Sequence, residues 1–238
     1  MTVLEVVLGA LVMAAGAFLQ GAVGFGANLV AAPLLALVNE DYVPGPLIVT
    51  SVVMNLLVMR REGTGAVDRR IHAAIAGAIP GALVAGLVLA SLSESALSVL
   101  FAIVVLAGVG LSAAGWQLRP TTGTLAAAGV VSGFMGTISG IGGPPIALVF
   151  QRADGPTLRA TLSRYFLAAA AVSIPTLLVV GTLDRSSVGP TLALLPGTVV
   201  GVLLSARLAR RIDKGHARPV VLWLSALSAI AVLVRALL

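Results

Sequence analysis

Long apolar stretches, separated by short polar or basic segments, run through almost the entire chain. A helix needs about 20 apolar residues to cross the hydrocarbon core of a bilayer. The stretches are continuous and do not alternate between apolar and polar residues, which favours helices over a transmembrane β-barrel. The pattern therefore predicts an all-α, polytopic transmembrane helical bundle. The apolar stretches cover residues 3–38, 44–59, 71–91, 96–116, 123–150, 160–181, 187–206 and 219–238.

Two of these stretches are too long for a single ordinary crossing. As straight helices with a rise of 1.5 Å per residue, residues 3–38 would extend about 54 Å and residues 123–150 about 42 Å. Both contain dense glycine in their later parts, and the second also contains Pro144 and Pro145. In a helix interior, glycine costs about 1 kcal/mol and proline about 3 kcal/mol. We therefore expect each stretch to break into a re-entrant or doubled segment whose two ends lie on the same side of the membrane.

The chain contains an internal repeat. Two separate blocks of sequence match in the same order, which indicates a first half at residues 1–118 and a second half at residues 123–238 of a single integral membrane domain. The matching positions are Gly21 with Gly133, Gly24 with Gly136 and Pro33 with Pro145 at a spacing of 112 residues, and Pro80-Gly81 with Pro196-Gly197 at a spacing of 116 residues.

The charges of corresponding loops have opposite bias. Arginine and lysine accumulate in the cytoplasmic loops of membrane proteins. The opposite bias therefore predicts that the two halves have opposite orientations, as in transporters built from inverted repeats. Loop 60–70 holds four basic residues and its counterpart 181–187 holds one, loop 91–95 holds none and its counterpart 207–218 holds five, and loop 39–45 is acidic whereas 151–159 holds two arginines.

Composition narrows the class of protein further. Of the residues, 58% are apolar and 10% are charged, against roughly 25% charged in soluble domains. We therefore exclude a soluble, disordered or nucleic-acid-binding protein, and interpret the net charge of +6 as loop charge in contact with a lipid bilayer. The absence of cysteine excludes disulfides and thiolate metal sites, and we expect no metal and no cofactor. The first apolar stretch is too long for a signal peptide, so we expect it to remain in the mature protein.

A set of glycine- and proline-containing motifs gives the chain a family resemblance. The motifs are Gly21-x-x-Gly24-Phe25-Gly26, Pro33-Leu34-Leu35, Thr50-Ser51, Gly65-Ala66-Val67-Asp68, Pro80-Gly81, Gly133-x-x-Gly136, Gly140-Ile141-Gly142-Gly143-Pro144-Pro145 and Arg159-Ala160-Thr161.

In this order and over essentially the whole chain, the motifs resemble those of the TauE/SafE family, also called the TSUP family. The sequence departs from the usual pattern at Ala27 and Asn28, where glycines are usual, and at Pro144, where a small residue is usual. The resemblance implies movement of a small anion such as sulfite, a sulfonate, thiosulfate or a related carboxylate across the bacterial inner membrane.

The two glycine-rich breaks form the candidate substrate site. Broken helices at membrane depth must be buried in protein or face a watery cavity, and a helix N-terminus attracts anions through its free N–H groups. Two breaks related by inverted symmetry would meet near the midplane. The alternative, that the glycines only allow close helix packing, stays open. The candidate substrate-binding residues are Gln20, Gly24, Phe25, Gly26, Asn28, Ser51, Asn55, Ser132, Gly136, Thr137, Ser139, Gly140, Gly142, Gly143 and Arg164.

Each polar candidate also has a simpler interpretation. The hydroxyl of a serine or threonine in a span often bonds back to its own helix. Arg164 lies five residues into an apolar stretch and could supply a fixed positive charge for an anion. It could equally extend to the membrane interface together with Arg159.

We predict a secondary transporter that works by alternating access and binds its anion between the two breaks. An anion channel or a non-transporting membrane subunit would share the same fold and remains the alternative. An intramembrane serine protease is disfavoured, because Ser139 lacks the first glycine of a Gly-x-Ser-Gly motif and both His72 and His216 lie in loops. We therefore expect no enzyme, and the sequence leaves open whether the protein forms a homodimer.

Overall fold

The structure, a computed structural model, describes residues 1–63, 67–114 and 118–208 together with Ile230 and Val234. These residues form helices and connecting turns without any strand, so the predicted all-α class is confirmed. The last apolar stretch, 219–238, lies outside the described residues except for Ile230 and Val234. The helices are α1 (Val3–Val23), α2 (Ala27–Val38), α3 (Gly45–Glu62), α4 (Ile71–Ser91), α5 (Glu94–Ala114), α6 (Thr122–Ser139), α7 (Gly143–Phe150), α8 (Gly155–Val180) and α9 (Val188–Leu208).

The outer surface of the bundle is apolar. Leu87 is 72% exposed and Val179 is 88% exposed, and many other large apolar side chains point outward. An apolar surface of this extent is rare on soluble proteins and suits contact with lipid. In the described part of the chain, five helical segments are long and apolar enough to cross a membrane, namely Val3–Val23, Ile71–Ser91, Glu94–Ala114, Gly155–Val180 and Arg185–Arg207.

The long apolar stretch at residues 3–38 forms a helical hairpin. Helix α1 ends at Gly24, which has a left-handed φ of +108° and donates its N–H to Gln20 O at 2.7 Å. A residue with a side chain rarely adopts this φ, so glycine allows the chain to reverse here. Helix α2 then runs back along α1, since Tyr42 Oη, shortly after α2, donates to Glu5 O at 3.0 Å.

The stretch at residues 123–150 folds in the same way. Helix α6 ends at Gly140, with a φ of +77°, and α7 begins at Gly143. The two reversing glycines, Gly24 and Gly140, are 116 residues apart. The sequence alignment matched Gly24 with Gly136 at a spacing of 112 residues, which differs from the spacing of these two helix ends by four residues, about one helical turn. Glycines recur every three or four residues in both stretches, so neighbouring registers match almost equally well.

Each hairpin carries its own apolar core. The first core is built around Met13 of α1, Leu35 of α2 and Met54 of α3. The second is built around Leu125 of α6 and Ile146 of α7, with side chains from α4 and α8. Helices α3 and α8 pack against each other between the two hairpins, so the helix breaks face one another across the middle of the bundle.

The first helix of each hairpin packs closely on a helix from the other half of the chain. Helix α1 packs against α9 and α6 packs against α4. A methyl group on Gly81 of α4 would overlap the carbonyl oxygen of Val130 in α6, and one on Gly197 of α9 would overlap that of Ala10 in α1. Glycine at these positions lets the two backbones touch, as small residues do between membrane helices.

Replacing Gly81 with alanine is expected to destabilise the protein by roughly 1–3 kcal/mol, because the added methyl group pushes α4 away from α6. The matched control is Gly110→Ala in α5, where an added Cβ would meet no atom within 4 Å. That control is expected to be neutral or slightly stabilising. Thermal unfolding of the detergent-purified variants measures the difference, and equal melting temperatures would contradict the close-packing interpretation.

Candidate functional site

A cavity of about 60 Å³ lies where the two hairpin breaks meet α3 and α8. A site needs roughly 10–15 Å³ of such volume for one water molecule, so the cavity has room for a ligand of about four heavy atoms. Its lining consists of Gln20, Gly26, Asn28, Leu29, Ile48, Ser51, Met54, Asn55, Ser132, Gly133, Gly136, Gly140, Ile141, Gly142, Gly143, Pro144, Tyr165, Phe166, Ala169, Ala170 and Ser173.

Most of the residues predicted from the sequence come together at this cavity. Ten of the fifteen line it, and the remaining five are Gly24, Phe25, Thr137, Ser139 and Arg164. Gly24, Phe25, Thr137 and Ser139 lie in or next to the breaks without lining the cavity. Arg164 lies on another face of α8.

Asn28 connects the two breaks directly. It is the second residue of α2, and its Nδ2 donates to Gly140 O at 2.9 Å and to Ser51 Oγ at 3.0 Å. Gly140 ends α6, so this one amide ties the start of α2 to the end of α6 and to α3. Both N–H groups of Asn28 are therefore occupied, which makes it a structural link at the edge of the cavity.

Gln20 and Asn55 form a buried amide pair on the cavity wall. Gln20 Nε2 donates to Asn55 Oδ1 at 2.8 Å, and Asn55 Nδ2 donates to Ser51 O at 2.7 Å. The second N–H of each amide makes no hydrogen bond within the part of the chain that the structure describes. A buried donor without a partner costs about 1–3 kcal/mol, so these two groups are suited to bind a ligand oxygen.

Two helix N-termini open onto the same cavity. Helix α2 begins after Gly26 and α7 begins after Gly142, and neither of these positions supplies a side-chain cap. The first N–H groups of a helix have no partner within it, and the helix dipole adds a partial positive charge there. Pro144 at the start of α7 fits a first-turn position, where a missing N–H costs nothing. Pro144 and Pro145 have no N–H, so Gly143 is the one N–H donor among the first three residues of α7. The two breaks therefore present positive potential without a charged side chain, with more N–H donors at α2 than at α7.

Several candidates that do not donate into the cavity fix its walls. Ser132 Oγ donates to Gly142 O and holds α7 against α6. Thr137 bonds Ser173 Oγ of α8 at 2.7 Å. Ser139 Oγ donates to Met135 O at 2.8 Å and accepts the N–H of Ile141 at 3.2 Å, so it satisfies backbone groups at the break. The interpretation of a hydroxyl bonding back to its own helix therefore applies to Ser139.

The expectation that Arg164 supplies a charge to the site is not met by its position. Arg164 is exposed, whereas the adjacent Tyr165 is fully buried and Phe166 lines the cavity. Successive helix residues point about 100° apart, so when Tyr165 and Phe166 face inward, Arg164 faces outward. Within the described residues, the cavity lining contains no charged side chain.

An aromatic wall from α8 escaped the sequence analysis. Tyr165 and Phe166 contact each other edge to face with ring centroids 5.6 Å apart, and Ser173 continues the same helix face. The spacing of residues 165, 166, 169, 170 and 173 follows one stripe of a helix. That stripe could have been recognised, but polar and apolar residues both occur on several sides of α8, so the pattern did not distinguish the inward face.

Among the described residues, no group of three or more histidine, cysteine or carboxylate side chains could hold a metal ion. The chemistry that the lining residues offer is hydrogen-bond donation from amide side chains and helix N-termini. This is the chemistry of reversible oxyanion binding.

Comparison with known protein families gives a match over most of the chain. The family model described as sulfite exporter TauE/SafE matches residues 8–232 of the chain. No curated protein and no solved structure matches the chain at a significant level. With a match that spans most of its 238 residues, this multi-pass membrane protein belongs to the TauE/SafE family.

Proposed function

We propose that the protein is a secondary transporter that carries a small oxyanion such as sulfite across the bacterial inner membrane by alternating access. The observation that carries this proposal is the meeting of two uncapped helix N-termini at one small cavity. Sulfonates, thiosulfate and related carboxylates present the same oxygen chemistry and are further candidate substrates.

Neutral donors favour transport over permanent capture. An anion bound by amides and helix N-termini gains several hydrogen bonds without forming an ion pair inside a low-dielectric membrane. Gln20 and Asn55 offer amide N–H groups, and Gly26 and Gly142 let the anion approach the backbone closely. Such a site binds an oxyanion firmly enough to select it and weakly enough to release it.

An inverted relation between the halves is supported by where their loops lie. Arg61 of α3 contacts Ser205 of α9, and Glu62 of α3 contacts Arg159 of α8, so segments from three basic loops gather at one end of the bundle. Glu40, Glu94 and Thr182, from three loops poor in basic residues, line a common cavity of about 400 Å³ at another place. We propose that the basic end is cytoplasmic and that residues 1–118 and 123–238 are inverted halves of one domain.

The proposed topology predicts that residues on both sides of the first hairpin label from the same face of the membrane. Because the chain contains no cysteine, Thr2→Cys and Glu40→Cys can each be introduced singly. Both should react with an impermeant thiol reagent added outside intact cells, whereas Arg69→Cys should react only after permeabilisation. Labelling of residues 2 and 40 from opposite faces would refute the hairpin topology.

Counterflow tests the transport function itself. Proteoliposomes loaded with unlabelled sulfite should accumulate external radiolabelled sulfite transiently above equilibrium, because a carrier exchanges one bound ion for another. Empty liposomes and protein-containing liposomes without internal sulfite are the controls. Uptake that needs no internal sulfite and does not saturate would identify a channel instead.

The cavity is tested by ligand-induced stabilisation. Sulfite at 100 times its dissociation constant should stabilise the purified protein by about 2.7 kcal/mol. Asn55→Ala removes a donor from the cavity wall and should abolish most of this increment, measured relative to the variant without ligand. Arg164→Ala is the control, since its exposed side chain lies outside the cavity, and it should retain the full increment. Loss of the increment in Arg164→Ala alone would move the site to that side chain.

A further inference from the structure

A nearly buried group of three charged side chains lies beyond one end of the cavity. Glu62, the last residue of α3, is placed between Arg61 of the same helix and Arg159 of α8. Only 9% of the Glu62 side chain and 14% of the Arg159 side chain is exposed. Two arginines and one glutamate leave this group with one net positive charge in a poorly solvated place.

The Glu62 carboxylate is bound to the Arg159 guanidinium in the geometry that a bound oxyanion would have. Arg159 Nε donates to Glu62 Oε1 at 2.8 Å, and Arg159 Nη2 donates to Glu62 Oε2 at 3.0 Å. This two-bonded fork is how arginine binds a carboxylate or another planar or pyramidal oxyanion. The second arginine, Arg61, donates its Nε to Glu62 Oε1 at 2.8 Å, so Glu62 would keep a partner if it left Arg159.

The group also joins the helix that ends at the first break. Arg61 donates to Gly21 O, and Arg159 Nη1 donates to Ala22 O at 3.4 Å. Gln20, one residue earlier, lines the cavity. The arginines therefore bind the last carbonyl groups of α1 immediately next to the candidate substrate site.

The charged group lies about two helical turns from the cavity along both α3 and α8. On α3, Glu62 follows Asn55 by seven residues, and on α8, Arg159 precedes Phe166 by seven residues, which corresponds to about 10 Å along each helix. Ser163 lies on α8 between them, is 1% exposed, and its hydroxyl has no hydrogen-bond partner among the described residues. A buried hydroxyl without a partner is costly, so Ser163 places an unsatisfied polar group one helical turn from Arg159 on the same helix.

We infer that Arg159 is a second anion site on the transport route and that the Glu62 carboxylate occupies it as a substitute for the transported anion. The inference rests on the proposed function. When an oxyanion moves from the cavity past Ser163, it takes the fork of Arg159, and Glu62 remains paired with Arg61. When the anion leaves, Glu62 returns to Arg159 and closes this end of the route.

Sulfite titration of the detergent-purified full-length chain, followed by thermal stability, tests the inference. Glu62→Gln removes the competing carboxylate, so the sulfite concentration for half-maximal stabilisation should fall on the order of tenfold. The double variant Glu62→Gln with Arg159→Gln, which removes the arginine fork together with the carboxylate and leaves Arg61 as the one remaining charge of the group, should lose this gain. Asp68→Asn is the matched control, because Asp68 forms a similar two-bonded pair with the exposed Arg70 nearby, at 2.6–3.1 Å. This control should behave like the original chain.

The outcomes separate this inference from the proposed function. A sulfite response in the original chain and in Asp68→Asn, without a gain in Glu62→Gln, overturns the role of Glu62 alone. A gain that persists in the double variant also overturns it. No response in the original chain and no counterflow overturn the proposed function, and this inference with it.

If Glu62→Gln does not fold, the variant Arg159→Lys tests the inference instead. Lysine keeps the positive charge but cannot form the fork, so sulfite counterflow should slow on the order of tenfold. Counterflow at the original rate would overturn the inference.

Discussion

A polypeptide inside a bilayer has to satisfy its backbone polar groups within the protein, and this constraint governs the centre of the molecule. Two helices end inside the bundle, at Gly24 and Gly140, and each end leaves polar groups outside the helix hydrogen-bond pattern. Asn28 joins the breaks by donating to both Gly140 O and Ser51 Oγ. The amide N–H groups of Gln20 and Asn55 that stay free among the described residues belong to side chains that line one small cavity beside these breaks. The candidate site is therefore the place where the fold leaves its own backbone incompletely paired.

Much of the fold follows from the sequence because membrane insertion imposes a simple length rule. The stretches 3–38 and 123–150 were too long for one crossing, and each contains two helices in the structure. The register of the repeat was harder to predict. Low sequence complexity lets a displacement of one turn match nearly as well, and the positive φ at Gly24, Gly26 and Gly140 identifies glycines that reverse the chain at the two breaks.

Site residues could be predicted where a polar side chain stands out in an apolar stretch. They could not be predicted where the direction of the side chain on its helix decides whether it reaches the site. Amides such as Gln20 and Asn55 are conspicuous in apolar stretches, and both line the cavity. Arg164 was equally conspicuous, but its direction depends on which face of α8 packs inward. Polar residues such as Thr161, Ser163 and Ser173 lie on several sides of α8 and do not reveal that face. Tyr165 and Phe166 were missed for the same reason. Arg159, the partner of Glu62 on α8, lies 97 residues away, so sequence spacing could not bring these two residues together.

The pairing of α1 with α9 and of α4 with α6 has a mechanical consequence. Each close pair takes one helix from either half of the sequence, and backbone contact at Gly81 and Gly197 leaves little room for sliding within a pair. In the alternating-access cycle proposed above, the two mixed pairs would then be the bodies that rock, and the boundary between them would not follow the boundary between the proposed halves. Either half expressed by itself would lack the helix that completes its rigid unit.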